Sequence, residues 1–159
     1  MSRKRGRTEV TEEQNAIIAA IVDSDTDVIV NACAGSGKST TTAIEAARKL
    51  YDKTRHHTLI VTFSAKLKEE SRRKTKTMLF IRTESFHSLL WTPDFPVKDN
   101  EAALRFLADA TLQARWYNKY SFANIKLVVL DESQDICPVM RRIVDFLCLQ
   151  LAPHTHVYC

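Results

Sequence analysis

The feature that most constrains this chain is the stretch of residues 27–40, DVIVNACAGSGKST. A short apolar run, residues 28–30, leads directly into a turn that holds two of the chain's three glycines. The turn matches the phosphate-loop pattern G-x-x-x-x-G-K-[ST] except at its first position, where Ala32 stands. A helix is predicted to follow over residues 40–51. This order predicts an α/β chain that binds a polyphosphate at the turn, because backbone N–H groups and the positive helix end both favour an anion there.

The residue types in this turn suit a nucleoside triphosphate with its metal ion. The Lys38 amine would reach the β- and γ-phosphates, and the Ser39 hydroxyl would hold Mg²⁺. The predicted nucleotide contacts in the turn are Ala34, Gly35, Ser36, Gly37, Lys38, Ser39 and Thr40. A chance Gly-Ser-Gly turn is the alternative, and the preceding strand, the following helix and the Lys-Ser pair all disfavour it. A polyphosphate with Mg²⁺ is therefore the predicted ligand of this turn.

Composition narrows the class of protein. A chain of 159 residues with 45% hydrophobic and 26% charged residues is typical of one soluble domain with a real core. No apolar run approaches the length of a membrane span, and no signal-peptide pattern follows the basic start. We expect a basic disordered tail over residues 1–9 and one domain over residues 10–159. The expected location is intracellular, in the nucleus if the source is eukaryotic and otherwise in the cytoplasm. The net charge of +4 favours a polyanionic partner only weakly.

An acidic turn after a later strand is the second candidate for nucleotide chemistry. Residues 126–130, KLVVL, are predicted to form a buried strand, and Asp131 and Glu132 follow it directly. A carboxylate at a strand tip can reach a metal ion held by a phosphate loop. The next carboxylate can orient and deprotonate an attacking water. The alternative is an acidic turn that caps the next helix through Asp135.

The end of another predicted strand, residues 58–62, carries an aromatic ring and a cluster of cations. Phe63 follows the strand, and a helix is predicted over residues 65–75. The cations on and beside this helix are Lys66, Lys68, Arg72, Arg73, Lys74 and Lys76. Ligands bind beyond the carboxyl ends of strands in open α/β sheets, so a ring for stacking and cations for phosphates suit a single-stranded nucleic acid. A solvated basic helix with Phe63 in the core is an equally good interpretation of the sequence alone.

The remaining segments have structural interpretations. Thr11 and Gln14 have the spacing of a helix capping box, so spacing favours a purely structural task for Gln14. A third strand is predicted over residues 78–82, and a lone histidine such as His87 is usually a surface or core residue. One helix is predicted over residues 100–117. The aromatic residues predicted to pack against the core are Trp116, Tyr117, Tyr120 and Phe122.

Five sequence blocks resemble the motor-domain motifs of one helicase group. In order, they are TEEQNAII (Q motif), ACAGSGKST (motif I), VTFSAKLKEE (motif Ia), FHSLL (motif Ib) and VVLDESQD (motif II). Together they span about residues 10–136. Their order and the D-E-x-Q-D form of the last block resemble the first motor domain of superfamily 1A helicases, the UvrD/Rep group. The eukaryotic F-box DNA helicase and its viral relatives look closest, and Ala32 fits because this group commonly has Ala at that position.

The resemblance implies a RecA-like P-loop NTPase domain with a parallel sheet and helices on both faces. It implies an ATP-dependent helicase or translocase that acts on single-stranded DNA, with RNA as the alternative strand. By matching positions, Gln14 would contact adenine and Gln134 would sense the γ-phosphate. The implied catalytic residues are Lys38, Asp131, Glu132 and Gln134. The implied metal ligands are Ser39 and Asp131, and the implied DNA contacts are Phe63, Lys66 and His87.

The chain also departs from the UvrD/Rep pattern. Motif III and the second motor domain with its arginine fingers do not follow before Cys159, so we expect this chain to bind Mg-ATP weakly and to hydrolyse it slowly or not at all. A second polypeptide could carry the other motor domain. An alternative is a non-catalytic product of a truncated or split helicase gene that binds nucleotide only. A small-molecule P-loop kinase is a third hypothesis, which the D-E-x-Q-D block disfavours.

Overall fold

The computed structural model describes residues 10–23, 28–29, 38–119, 124–132, 135–151 and 156–158. The helices are α1 (Glu12–Asp23), α2 (Lys38–Thr54), α3 (Ala65–Lys74), α4 (Phe86–Leu90), α5 (Asn100–Ala108), α6 (Ala110–Lys119) and α7 (Pro138–Gln150). The strands are β1 (His57–Thr62), β2 (Ile81–Ser85), β3 (Ile125–Leu130) and β4 (His156–Tyr158). None of the helices in these ranges has both the length and the apolar character needed to cross a membrane.

The strands form one parallel sheet in the order β2-β1-β3-β4. Strand β1, HTLIVT, is buried from its second residue to its last, and β3 is almost as fully buried. Such continuous burial of β-branched and aliphatic residues is the pattern of a sheet that is covered on both faces. The predicted α/β class with a parallel sheet is confirmed.

Helices cover both faces of the sheet, and each face has its own core. Successive residues of β1 point to opposite faces, so Leu59 and Val61 join one cluster and Ile60 joins the other. The first cluster packs the sheet against α4, α5, α6 and α7. The second packs it against α1 and α2, where small residues such as Ala43 and Ala47 allow close approach.

The predicted single helix over residues 100–117 is wrong, because the structure breaks it in two at Asp109. Asp109 has extended dihedral angles, and its carboxylate accepts hydrogen bonds from the backbone N–H groups of Thr111 (2.8 Å) and Leu112 (3.2 Å). It therefore caps the start of α6. The Gln113 side chain closes the junction by donating to the Leu107 carbonyl at 2.9 Å, at the end of α5. An apolar periodicity that continues across both helices concealed this break.

The third strand lies three residues further along the chain than the predicted range of residues 78–82. Two consecutive turns occupy the segment before it, with hydrogen bonds from Met78 N–H to the Thr75 carbonyl (2.8 Å) and from Ile81 N–H to the Met78 carbonyl (3.0 Å). Pairing with β1 becomes continuous only from Ile81 onward. The predicted strand at residues 28–30 is described only at its first two positions, where Val28 forms one bridge.

Candidate functional site

The candidate site is built on the carboxyl ends of three adjacent strands. Thr62 at the end of β1 pairs with Ser85 at the end of β2, and Val61 pairs with Leu130 at the end of β3. Because the strands are parallel and end in register, the residues that follow them emerge at one edge of the sheet. The predicted motif Ia, motif Ib and motif II segments therefore lie side by side.

The acidic turn begins immediately after β3. The Asp131 N–H donates to the Val61 carbonyl at 2.9 Å, which holds the first carboxylate at the strand tip, and both Asp131 and Glu132 are half-buried. The Asp135 N–H donates to the Glu132 carbonyl at 3.0 Å and closes the turn. The alternative that Asp135 caps the next helix is wrong, because Cys137 occupies that position with Pro138 as the first helical residue. Gln134 lies outside the described residues.

Glu132 adopts a left-handed backbone conformation, with a φ angle of 58°. For a residue with a side chain, this conformation costs about 1–2 kcal/mol relative to the right-handed region. Such strained residues concentrate at functional sites, where the surrounding structure fixes the direction of the side chain. The strain singles out the carboxylate that the sequence analysis assigned to the attacking water.

Helix α2 packs on one face of the sheet, and its amino end is directed toward the same edge. It spans 17 residues and begins at Lys38, and its end is joined to β1 by only Arg55 and His56. A helix that packs on a strand after so short a link runs antiparallel to it, so the amino end of α2 is directed toward the carboxyl ends of the strands. Its first turn contains no acidic residue, so no carboxylate of that turn offsets the positive end of the helix.

The phosphate-loop residues themselves divide into two groups. Lys38, Ser39 and Thr40 are the first residues of α2. The loop residues Ala34, Gly35, Ser36 and Gly37 lie outside the described residues. The structure thus places the helix that carries the predicted phosphate contacts, while their convergence with Asp131 stays a prediction.

Gln14 forms the capping box that its spacing predicts. Its Oε1 accepts a hydrogen bond from the Thr11 N–H at 2.9 Å, and the Gln14 N–H donates to Thr11 Oγ1 at 3.2 Å. The structural task is therefore confirmed. An amide oxygen has two lone pairs and its nitrogen has two donors, so capping leaves Gln14 the means to contact a base.

Motif Ia presents an aromatic ring to solvent. Phe63 is 38% exposed, so the interpretation that it belongs to the core is wrong. Ser64 starts α3 by accepting a hydrogen bond from the Leu67 N–H, and Thr62 Oγ1 donates to the Ser64 carbonyl at 3.2 Å. These bonds fix the short link between strand and helix, which holds Phe63 and exposed Lys66 at the strand-end edge.

His87 lies on α4, directly beyond the end of β2. Its Nε2 lies 2.9 Å from Asn100 Oδ1, so the ring donates there because that oxygen can only accept. The Asn100 Nδ2 in turn lies 3.9 Å from the Cys137 sulfur. This chain of contacts connects the motif Ib helix with the helix that follows motif II.

A polar network lies beside this edge, and no sequence pattern predicted it. Glu84 of β2 accepts a hydrogen bond from Ser88 at 2.7 Å and forms ion pairs with Lys68 of α3 at 3.0 Å and Arg82 at 3.1 Å. Lys68 Nζ also donates to Ser88 Oγ at 2.9 Å. The partners meet only when α3 packs beside β2 and α4, so their spacing along the chain could not reveal them. The network takes one cation, Lys68, out of the predicted basic cluster, while Lys66 stays exposed.

The network lowers the pKa of Glu84. Burial alone would raise that pKa, but hydrogen bonds from Ser88 and Lys68 and the charges of Lys68 and Arg82 outweigh burial and hold the pKa below its ordinary value of 4.5. A carboxyl group whose pKa is depressed by folding stabilises the fold at pH values above its ordinary pKa. The stabilisation is lost as the pH falls through the lowered pKa.

We expect Glu84→Gln to lower the free energy of unfolding at neutral pH by about 1–3 kcal/mol, because Lys68 loses its half-buried charged partner. The deficit should shrink as the pH falls below 4.5, where wild type loses the same contribution. Urea unfolding across this pH range measures both effects. The control is Glu70→Gln, which removes an exposed carboxylate of α3 that pairs with Lys74 and should change little. A deficit for Glu84→Gln that does not vary with pH would contradict the role of the carboxylate charge.

Comparison with known families decides the class of this domain. A family model described as DEAD/DEAH box helicase matches residues 11–155, which is most of the chain. The chain belongs to the DEAD/DEAH box helicase family. Comparison with curated proteins gives no match. Membership explains the RecA-like sheet and makes this domain the motor part of an ATP-dependent helicase. Helicases of this family use ATP with a divalent metal ion, and a helicase domain implies nucleic-acid binding.

Proposed function

We propose that this domain uses ATP hydrolysis to act on single-stranded DNA, as a motor domain of the UvrD/Rep type in superfamily 1A. The observation that carries the proposal is the in-register ending of β1, β2 and β3, which gathers motifs Ia, Ib and II at one edge. The acidic block supports the UvrD/Rep assignment within the helicases. Asp131 and Glu132 agree with the first two letters of D-E-A-D and D-E-A-H, whereas residues 133–135 read S-Q-D and agree with D-E-x-Q-D.

In this proposal the nucleotide lies between the start of α2 and the acidic turn. Lys38 binds the β- and γ-phosphates, and Ser39 and Asp131 hold Mg²⁺. Mg²⁺ in nucleotide sites takes one or two protein carboxylates and completes its coordination shell with phosphate oxygens and water. Asp131 suits such a site because its half-buried carboxylate is fixed at a strand tip. The metal ion supplies charge neutralisation for the triphosphate.

Three further residues complete the proposed nucleotide chemistry. Glu132 orients the attacking water and takes its proton, and its fixed backbone direction supports that task. Gln134 senses the γ-phosphate. Gln14 binds adenine through the side-chain amide while the same side chain caps α1.

The single strand is proposed to lie across the strand-end edge. Phe63 stacks on a base, which by alanine substitution is worth about 1–3 kcal/mol per base in such proteins. Lys66 contacts a phosphate. His87 contributes a further contact and is held in orientation by Asn100.

ATP turnover by the purified chain, with and without single-stranded DNA, tests the proposal. We expect DNA to stimulate the slow turnover of this chain and Lys38→Ala to abolish it. Phe63→Ala should raise the DNA concentration needed for half-maximal stimulation by about tenfold, which is within the range of one lost stacking contact. Tyr117→Ala, which removes an exposed ring on α6, is the matched control.

The outcomes separate the alternatives. Stimulation by single-stranded RNA but not DNA would overturn the choice of substrate. Nucleotide binding without turnover in any sample would identify a binding-only domain. Phosphorylation of a small acceptor, with no effect of nucleic acid, would identify a kinase.

A further inference from the structure

A second cationic surface starts beside the strand-end edge and extends along β2. A groove of about 580 Å³ runs between the second half of α3 and β2, the strand at one end of the sheet order. Its floor includes four consecutive residues of β2, and its rim is formed by α3 and the turns at residues 75–80. We call it the α3–β2 groove. The nucleotide and single-strand contacts proposed above do not use it.

The lining of the α3–β2 groove carries an excess of positive charge. Its cations are Arg72, Arg73, Lys76 and Arg82, and its acids are Glu69 and Glu84. Arg82 is paired with Glu84, which also binds Lys68. Within the described residues, none of the ion pairs involves Arg72, Arg73 or Lys76. These three exposed cations therefore give the groove its capacity to bind an anion, in a chain whose net charge is also positive.

The chemistry of the lining favours a duplex over a single strand. None of the described lining residues is aromatic, and the apolar ones are Met78, Leu79 and Ile81. Proteins hold single strands by combining cations with aromatic rings on which bases stack. A duplex hides its bases and presents phosphates, for which arginine and lysine side chains are sufficient.

The position of the groove fits a junction between single and double strands. Helix α3 begins beside Phe63 at the strand-end edge, and its other end lines the groove. Its 10 residues span about 15 Å. At about 3.4 Å per nucleotide step, this separation corresponds to roughly four or five nucleotides. A strand held at Phe63 could therefore enter a duplex within a few nucleotides and meet the groove.

We propose that the α3–β2 groove binds the phosphate backbone of the duplex that adjoins the single strand, through Arg72, Arg73 and Lys76. The proposal rests on the proposed function, since it assumes that the strand-end edge holds a single strand. It adds a surface by which this domain would recognise the junction.

The test compares two triple variants with equal loss of charge. The groove variant is Arg72→Gln, Arg73→Gln and Lys76→Gln. The control is Arg115→Gln, Arg141→Gln and Arg142→Gln, which removes three exposed cations from α6 and α7. All six positions are exposed, and circular dichroism is used to check that both variants fold. Fluorescence anisotropy measures binding to a short blunt duplex and to a single strand of the same sequence at several salt concentrations.

We expect the groove variant to bind the duplex at least about tenfold more weakly than the control does, with a smaller effect on the single strand. The negative slope of log K against log salt for the duplex should become less steep by about 2.7, because each neutralised phosphate contributes about 0.9 and three contacts are lost. Equal duplex affinity for the two variants would overturn the proposal, as would equal weakening of duplex and single-strand binding by the groove variant. Binding of an acidic peptide in the groove, with no duplex binding by wild type, would also overturn it.

The experiments distinguish failure of the proposed function from failure of the groove proposal. That function depends on DNA-stimulated turnover and on Phe63, neither of which enters the duplex measurement. Loss of stimulation with a groove-dependent duplex affinity would reject the single-strand role alone. Stimulation together with a groove-independent duplex affinity would reject the groove alone.

Discussion

Replacing Glu132 by glutamine is expected to lower ATP turnover by about 10²- to 10⁴-fold, the usual contribution of a general base. Glutamine has nearly the same shape but cannot accept a proton from water. Because Glu132 is assigned to the water and Asp131 to the metal ion, nucleotide affinity should stay close to that of wild type. Single-turnover hydrolysis in the presence of single-stranded DNA, with a parallel binding measurement, separates the two quantities.

Two controls make the Glu132 result specific. Asp135→Asn removes an exposed carboxylate from the same turn and should leave turnover nearly unchanged. Glu132→Gly also removes the base, but it relaxes the left-handed backbone, so it should be more stable than Glu132→Gln by up to about 1 kcal/mol. Turnover of Glu132→Gln close to that of wild type would reject Glu132 as the base.

Trp116→Ala is expected to lower the free energy of unfolding by about 3–5 kcal/mol, a large share of the roughly 5–15 kcal/mol available to a domain. Trp116 is fully buried, and its ring centroid lies 6.3 Å from that of Phe106 and 5.0 Å from that of Phe146. Its indole N–H donates to the Leu89 carbonyl at 2.7 Å. One side chain thus joins α4, α5, α6 and α7, and truncation would leave a cavity where they meet.

Urea unfolding measures the loss of stability in Trp116→Ala. Two further variants separate the contribution of the indole hydrogen bond from that of packing and provide an exposed-ring control. Trp116→Phe keeps most of the packing but loses the donor to Leu89, so it should cost about 1–3 kcal/mol. Tyr117→Ala removes the exposed neighbouring ring and should change stability by less than about 0.5 kcal/mol. A Trp116→Ala cost similar to that of Tyr117→Ala would mean that the four helices do not depend on this contact.

The same aromatic segment shows what the sequence could and could not predict. The prediction that Trp116 packs against the core is confirmed, whereas Tyr117 beside it is 55% exposed. Tyr120 and Phe122 lie outside the described residues. The sequence indicated an aromatic cluster. Which of the two adjacent rings, Trp116 or Tyr117, faces the core depends on the rotation of α6, which begins after the break at Asp109.

Elements with strong local signals were predicted well. Strand β1 follows from its run of apolar and β-branched residues, and α3 begins and ends within one residue of its predicted range. The capping box of Thr11 and Gln14 is present as its spacing predicts. In each case the physical cause lies within a few residues of the chain.

Features that depend on packing could not be read from the sequence. The register of β2 is set by its pairing with β1 after two turns, and the exposure of Phe63 depends on how β1 ends at the edge of the sheet. The network of Glu84 with Lys68 joins residues on different elements. The candidate site was therefore predicted as a set of residue types at strand ends, while its electrostatic surroundings required the fold.

The most direct test of whether the start of α2 and the tip of β3 act on one triphosphate is the affinity of the chain for ATP. It is measured with and without Mg²⁺ for wild type, Lys38→Ala and Asp131→Asn. We predict that Lys38→Ala weakens binding in both conditions by about 3 kcal/mol, or roughly 100-fold, because a charge-assisted phosphate contact is lost. Asp131→Asn should weaken binding by about tenfold or more in Mg²⁺ and leave it unchanged when the metal ion is chelated. Binding of Mg-ATP that depends on Lys38 but is indifferent to Asp131 would show that the two elements do not share a nucleotide, and it would contradict the account.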